Sequence, residues 1–332
     1  MANQPQHQCY FTGFSHADVA QICTEITATT PVTSSNAVPR LLYTVTSSVV
    51  SERNRMGKRL TDKAIQQFHE RGYYLPLDIA SVEEIQEMRR QLEAFEAKSG
   101  GALRGTNRFK NHLLFKWLSD LIRSPKILDA VEDLIGSNLL VWSTDWWIKE
   151  AQSSMFVSWH QDSQYWGLDT RKLVTVWVAL SPSTVESGCM RVLPGSHLGP
   201  DLHHKETFHD DNMLTRGQQI EDIDERLAVN LEVDTGKAVI FAFRMAHASY
   251  PNRSNDRRIG LAIRYIPPDA RQQYAETDSA TLVRGENTAG HFELEPEPAR
   301  DFDPVAVEFH RHAEEERRKI LYHGTDWTTH RT

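Results

Sequence analysis

The sequence predicts a mostly β domain, an antiparallel sandwich or barrel, with helices flanking it on both sides. Three features lead there. Short runs rich in β-branched and aromatic residues crowd the middle of the chain, separated by turn residues. Helical patterns with capping signals are confined to the two ends, and the alternation of strand and helix that a parallel sheet requires is missing.

Residues 1 to about 58 stand apart from the rest of the 332-residue chain: Thr and Ser are frequent, acids few, and the apolar residues keep no sustained period. "ATTPVTSSNAVP" has the composition of a polar linker. An amphipathic transit peptide would share the shortage of acids but needs more arginines. We expect a poorly structured extension over 1–58 and one domain over 59–332.

From Leu60 onward the text is patterned. A helix is expected up to Gly72, a short strand over Tyr73–Ile79, and a second helix opened by Ser81 with Glu84 three positions on, the spacing of a capping box. "PKILDAVEDLIG" predicts a third helix stopped by Gly136. Strands follow in "LLVWSTDWWIKEA", "SMFVSWHQD", "LVTVWVAL", "GCMRVLPGSH", "LAVNLEVDTGKAVIFAF" and "RRIGLAIRYIPP", a core over about 138–268. Asp234-Thr235-Gly236, between two apolar runs, reads as a hairpin turn. The tail returns to helix over about 303–321. Two polar stretches, "LGPDLHHKETFHDDNMLTRGQQIED" and "DSATLVRGENTAGHFELEPEP", read as long loops, either lids and binding loops or solvated crossovers, and the second offers Arg284 to an anionic group.

Composition narrows the function. A net charge of −8, with no basic stripe, argues against a nucleic-acid partner. Cys9, Cys23 and Cys189 form no CxxC pair and are too few for a disulfide scaffold, and no run of about 18 apolar residues or secretory leader is seen. A cytoplasmic protein acting on a small molecule, without a membrane partner, is the expectation.

The chemistry concentrates in "SWHQDSQYWG". If the strand continues, His160 and Asp162 project from one face and converge on a point. His247, after a distant apolar run, is a third candidate. Two imidazoles and one carboxylate make the facial ligand set of non-haem Fe(II) oxygenases, which leaves coordination positions open. Among 15 histidines a His-x-Asp arises cheaply, and His203, His204, His209, His310, His312 and His323 are read as surface residues. Along "RRIGLAIRY" the residues Arg258, Gly260, Ala262 and Arg264 share one face, a hollow with a guanidinium suited to a carboxylate. The alternatives are that Arg258 pairs with Asp256 on a strand edge, that Gly260 admits a neighbouring backbone, or that Arg264 is the arginine that matters.

His160-Gln161-Asp162, "VTVWVALSPSTVESGCMRVLPGSH", His247-Ala-Ser249 and Arg258, in this order, resemble the phytanoyl-CoA dioxygenase family of Fe(II)/2-oxoglutarate-dependent oxygenases, from about Leu60 to about Pro268. The resemblance implies a double-stranded β-helix, the cupin-like jelly roll. It implies Fe(II) held by His160, Asp162 and His247, and 2-oxoglutarate as co-substrate with its distal carboxylate on Arg258 and Gln161, Trp177 and Ser249 along its wall. O2 is the oxidant in such enzymes, and succinate and CO2 are released. Trp177, between Val176 and Val178, also suits plain core. Tyr165 and Trp166 could shape the substrate side or merely pack. Related halogenases have a small residue where this chain keeps Asp162, so hydroxylation, or desaturation or ring closure, is expected instead. Two rivals remain open: a zinc hydrolase or isomerase on the same ligands, and a non-catalytic ligand-binding jelly roll.

Overall fold

The computed structural model describes residues 57–324, apart from residues 100, 102, 104–107, 208 and 215. Of the extension expected over 1–58, all but Gly57 and Lys58 lies outside the described residues.

Helix α1 (Asp62–Arg71) starts where Thr61 Oγ1 accepts the Ala64 amide and stops at Gly72, whose φ of 83° costs glycine little. Strand β1 (Tyr73–Asp78) leads to α2 (Val82–Ser99), opened by reciprocal bonds: Ser81 N donates to the Glu84 carboxylate at 2.7 Å, and Glu84 N to Ser81 Oγ at 3.2 Å. A short helix α3 (Lys116–Leu121), not expected from the sequence, precedes α4 (Pro125–Ile135), which begins with proline and ends at Gly136. Then come β2 (Leu139–Lys149), β3 (Val157–His160), the single turn α5 (Ser163–Trp166), β4 (Val174–Ala179), β5 (Met190–Val192), β6 (His204–Glu206), β7 (Gln218–Ile220), β8 (Val229–Leu231), β9 (Lys237–Ala242), β10 (His247–Ser249), β11 (Arg258–Ile266), β12 (Ser279–Arg284), β13 (Glu293–Leu294) and α6 (Pro304–Leu321).

Two sheets face each other as a double-stranded β-helix. The larger runs β1-β9-β4-β11-β2-β12-β13 and the smaller β3-β10-β5-β8. Period-2 alternation divides the larger sheet's side chains. Ile259, Leu261, Ile263 and Tyr265 of β11, with Val176 and Val178 of β4, join Ile85, Leu92, Ile127 and Val131 of α2 and α4 in one apolar layer. Trp177, Val239, Phe241 and Ala262, on the opposite face, pack with Met190, Val192 and Leu231 of the smaller sheet. Among the described residues no helix is long and apolar enough to cross a membrane.

The structure corrects several expectations. Asp234-Thr235-Gly236 does not close a hairpin: β8 pairs with β5 in the smaller sheet and β9 with β4 in the larger, so this turn carries the chain between sheets. The first long polar stretch contains the ribbon β6–β7, and the second contributes β12, which pairs with β2. His310 is buried, its Nε2 donating to Phe109 O at 2.8 Å, and His204 is half-buried. His203, His209, His312 and His323 are exposed. Beneath β12, the Glu295 carboxylate gathers Lys110 Nζ, His112 Nε2 at 2.8 Å, Ser279 Oγ at 2.8 Å and Thr281 Oγ1 into a buried network.

Candidate metal centre

His160 and His247 are cross-strand partners in the β3–β10 pair, which sets their rings 4.0 Å apart between centroids. Asp162 arrives differently from the expectation of strand parity. Its backbone is helical (φ −59°, ψ −30°), because the chain leaves β3 after His160 and turns into α5. The turn, rather than the strand, brings its carboxylate to 3.4 Å from His160 Nε2. One donor atom from each of His160, Asp162 and His247 lies within 4.8 Å of the others, and all three residues are buried.

Backbone carbonyls orient the imidazoles. His160 Nδ1 donates to Ser158 O and His247 Nδ1 to Met245 O, both at 2.9 Å. A carbonyl only accepts, so each Nδ1 carries the proton and each Nε2 presents a lone pair. His160 Nε2 is buried with no hydrogen-bond partner in the protein. A buried lone pair left without a donor in this way suits a metal ligand. Burial pushes both imidazoles down to about 4, and the Asp162 carboxyl up to about 6 against a smaller opposing pull from His247. Two neutral nitrogens and one oxygen on one side of a point fit a divalent first-row ion such as Fe(II).

Next to this point, an inner chamber of about 430 Å3 is lined by His160, Asp162 and His247 and also by Trp177, Ser249 and Arg258. Arg258 does not pair with Asp256, which takes a two-point grip from Arg89 at 2.7 Å instead. The Arg258 guanidinium is buried, donates through Nη1 to Gly188 O at 2.8 Å, and leaves Nε unpartnered. Burial lowers its pKa to about 10, so it remains a cation at neutral pH. Gly260 admits an indole rather than a backbone: a Cβ there would lie 1.9 Å from Trp177 Cζ2, and Arg258 sits 5.3 Å above that same ring. The hollow expected on this face is filled by Trp177.

Two expected residues are placed elsewhere. Gln161 lines neither chamber: its amide nitrogen donates to Arg244 O and its amide oxygen accepts from Leu202 N, both at 2.7 Å, so it ties two loops together. Arg284 is engaged by Asp129 and Glu132 of α4, each at 2.7 Å, away from both chambers. Tyr165 and Trp166 do line an outer chamber of about 660 Å3, which meets the inner one at Asp162, Trp147 and Arg264.

Other site residues escaped the sequence reading. Lys149 lies directly across from Arg258 in the β2–β11 pair, fully buried, donating to Ser249 Oγ at 2.7 Å and to Tyr250 O. Burial, and then the Arg258 charge, depress its pKa to about 6. Thr175, on the chamber wall, has a buried hydroxyl without a partner. The outer chamber is ringed by Arg108, Arg216, Arg264 and Arg317, contributed by a loop, the β6–β7 segment, β11 and α6. The signal for Lys149 was present in "WWIKEA", where a lysine ends an otherwise apolar strand. Nothing local marks Arg317 in a helix rich in charge.

Two buried imidazoles and a carboxylate in a double-stranded β-helix, with a buried cation lining the same chamber, define a mononuclear metal protein of the non-haem type. A family model, phytanoyl-CoA dioxygenase (PhyH), matches residues 68–260, and the chain belongs to that family. It is 30% identical over 179 residues to a probable alpha-ketoglutarate-dependent hypophosphite dioxygenase of Stutzerimonas stutzeri, a match that covers 53% of this chain and 62% of that protein. Among solved structures it is similar to the non-heme monooxygenase ThoJ without metal (TM-score 0.70, 36% identity, 78% of this chain and 97% of that one). The nickel complex of ThoJ is similar too (TM-score 0.66, 34% identity, 78% and 98%).

Proposed function

We propose that this protein is an Fe(II)/2-oxoglutarate-dependent dioxygenase that hydroxylates an unactivated C–H bond of a small polar metabolite or natural-product intermediate, with release of succinate and CO2. The observation that supports it is the sharing of one chamber by the His160–Asp162–His247 donors and the buried, incompletely bonded Arg258. The names of the hypophosphite dioxygenase and of ThoJ point the same way.

In this reading His160 and His247 hold iron through Nε2 and Asp162 through its carboxylate. The chemistry supplied by such a centre is the coupling of oxygen reduction to the oxidative decarboxylation of 2-oxoglutarate. Arg258 receives the distal carboxylate of the co-substrate. Ser249 assists: because Lys149 Nζ donates to its oxygen, its own hydroxyl proton is free to point at that carboxylate. Trp177, Met190 and Phe241 wall the chamber with apolar surface and exclude water, which strengthens each charge-assisted bond inside. Asp162 occupies the position that a halide would need, which favours hydroxylation over halogenation.

The test is an anaerobic titration of the Fe(II)-loaded protein with 2-oxoglutarate, watching for the visible metal-to-ligand charge-transfer band. A band that forms in the parent and weakens in Arg258→Ala supports the reading. A folded, iron-loaded sample without the band rules it out and leaves the zinc hydrolase or binding-protein alternatives.

A further inference from the structure

The outer chamber carries an electrostatic pattern that oxygen chemistry does not require. Arg264 is buried, with Nε and Nη1 lacking a hydrogen bond of normal geometry, and its guanidinium lies 4.4 Å from the centroid of Trp166. Its carboxylate partner is Asp145. Arg108, which lines the same chamber, stacks 4.9 Å from Trp147 and donates through Nε to Trp146 O at 3.2 Å. Among the described residues it meets no carboxylate. Arg317 is bound by Glu314 at 2.9 Å, and Arg216 touches Glu206 at 3.4 Å. Asp278, the other buried acid nearby, is taken up by Trp142, Gln272 and the Ser279 amide.

Arg216, Arg264 and Arg317 thus have carboxylate partners in Glu206, Asp145 and Glu314, and Arg108 has none among the described residues. An uncompensated guanidinium beside low-dielectric walls is costly unless a ligand brings the opposite charge. The pKa of Arg264 is lowered to about 9, by burial first and then by the charges of Arg108 and Arg317, which is consistent with mutual repulsion in the chamber. The rest of the wall is mostly apolar, with Trp142, Trp147, Trp166, Leu214, Ile320 and Leu321 beside the hydroxyls of Ser143 and Tyr165, a surface for an apolar or aromatic body.

We propose that the outer chamber is the substrate site and that it takes an organic monoanion, a carboxylate on an apolar or aromatic body, with the carboxylate between Arg108 and Arg264 and the body against the tryptophans. The match of a fork of donors to a planar carboxylate gives the group, and one guanidinium without a carboxylate partner fits a singly charged ligand. This deepens the proposed function and rests on it for the claim that the occupant is the substrate. Asp162 lines both chambers, so a metal held by it would lie at the edge of this one.

The test uses the full-length protein saturated with Ni(II), which forestalls turnover, and with 2-oxoglutarate, which occupies the inner chamber. Calorimetry compares 3-phenylpropionate, its neutral amide and phenyl phosphate. The acid is expected to bind about 10- to 100-fold more tightly than the amide, the size of one charge-assisted contact, and more tightly than phenyl phosphate. Arg108→Gln is expected to abolish the preference for acid over amide, and Arg264→Gln to do the same if that variant folds. Retention of the charge-transfer band with Fe(II) and 2-oxoglutarate shows that Arg108→Gln is intact. Equal binding of acid and amide, no binding by any probe, a preference that survives Arg108→Gln, or acid binding that 2-oxoglutarate abolishes would each overturn the proposal. Tighter binding of phenyl phosphate than of the acid overturns the carboxylate assignment. A protein that forms no band yet binds the acid through Arg108 keeps the anion site and loses the oxygenase reading; a protein with the band and no acid preference does the reverse.

Discussion

Replacement of Gly260 by alanine tests how the inner chamber is built. The added methyl would stand 1.9 Å from Cζ2 and 2.3 Å from Cε2 of Trp177, far inside contact distance, so the indole has to move. Both neighbours of β11 hold the backbone in register, with Gly260 opposite Trp147 on one side and Ala179 on the other, so the strand itself has little room to retreat. Overpacking of this kind costs about 1–3 kcal/mol, a fall in melting temperature of roughly 2–12 °C for a domain of this size. Trp177 also underlies Arg258, so its displacement costs part of one charge-assisted hydrogen bond to the co-substrate, about 10- to 100-fold in 2-oxoglutarate affinity. Thermal melts and titration of the charge-transfer band measure both quantities. Gly199→Ala is the control, because a Cβ there meets only Ser196 O at 3.6 Å, and a change within about 0.5 kcal/mol is expected. Unchanged melting and unchanged co-substrate affinity in Gly260→Ala would refute the packing of Trp177 on Gly260.

Three further outcomes follow from the geometry. Metal affinity of the apo-protein, measured with Ni(II), is expected to be flat above pH about 6 and to fall about tenfold per unit below it. The Asp162 carboxyl takes a proton there while the imidazoles stay neutral down to about 4. Lys149→Met is expected to weaken 2-oxoglutarate binding by leaving Ser249 unoriented, yet to raise the melting temperature. The folded-state pKa of Lys149, about 6, lies below its ordinary 10.5, so the unfolded chain holds the extra proton and stability climbs with pH between those values. A melting curve whose pH slope over that window does not flatten in the variant would contradict this. Glu295→Ala leaves the Lys110 ammonium buried without its carboxylate and is expected to cost about 3–5 kcal/mol in chemical denaturation, with the metal site affected only through global unfolding.

Local rules carried most of the secondary structure. The Ser81–Glu84 box and the glycines that stop α1 and α4 are signals complete within a few residues, and they read correctly. Alternation along β11 told the face of Arg258 from that of Ile259, because both faces of that strand are buried in layers of different character. Pairing across the fold was not legible. The turn at Asp234–Gly236 has hairpin chemistry, and only the competition between two sheets sends its strands apart. The convergence of His160 and Asp162 was anticipated on a wrong premise, strand parity, where the chain in fact turns into α5. Gln161 and Arg284 found partners, Arg244, Leu202 and α4, that are distant in sequence. The arginine ring is the clearest case of what a linear text hides, since Arg108 and Arg317 meet over Phe109 only because α6 folds back on the chamber.

The histidine hydrogen bonds have a consequence for how such a centre can diversify. Each ligand ring is steered by the carbonyl two positions before it, and half-buried His204 repeats the arrangement with Leu202 O at 2.8 Å. The instruction for which nitrogen faces inward is thus written into a tripeptide and owes nothing to the walls around it. Aromatic panels and cationic rims can be exchanged to suit a new guest while the hearth they surround stays lit.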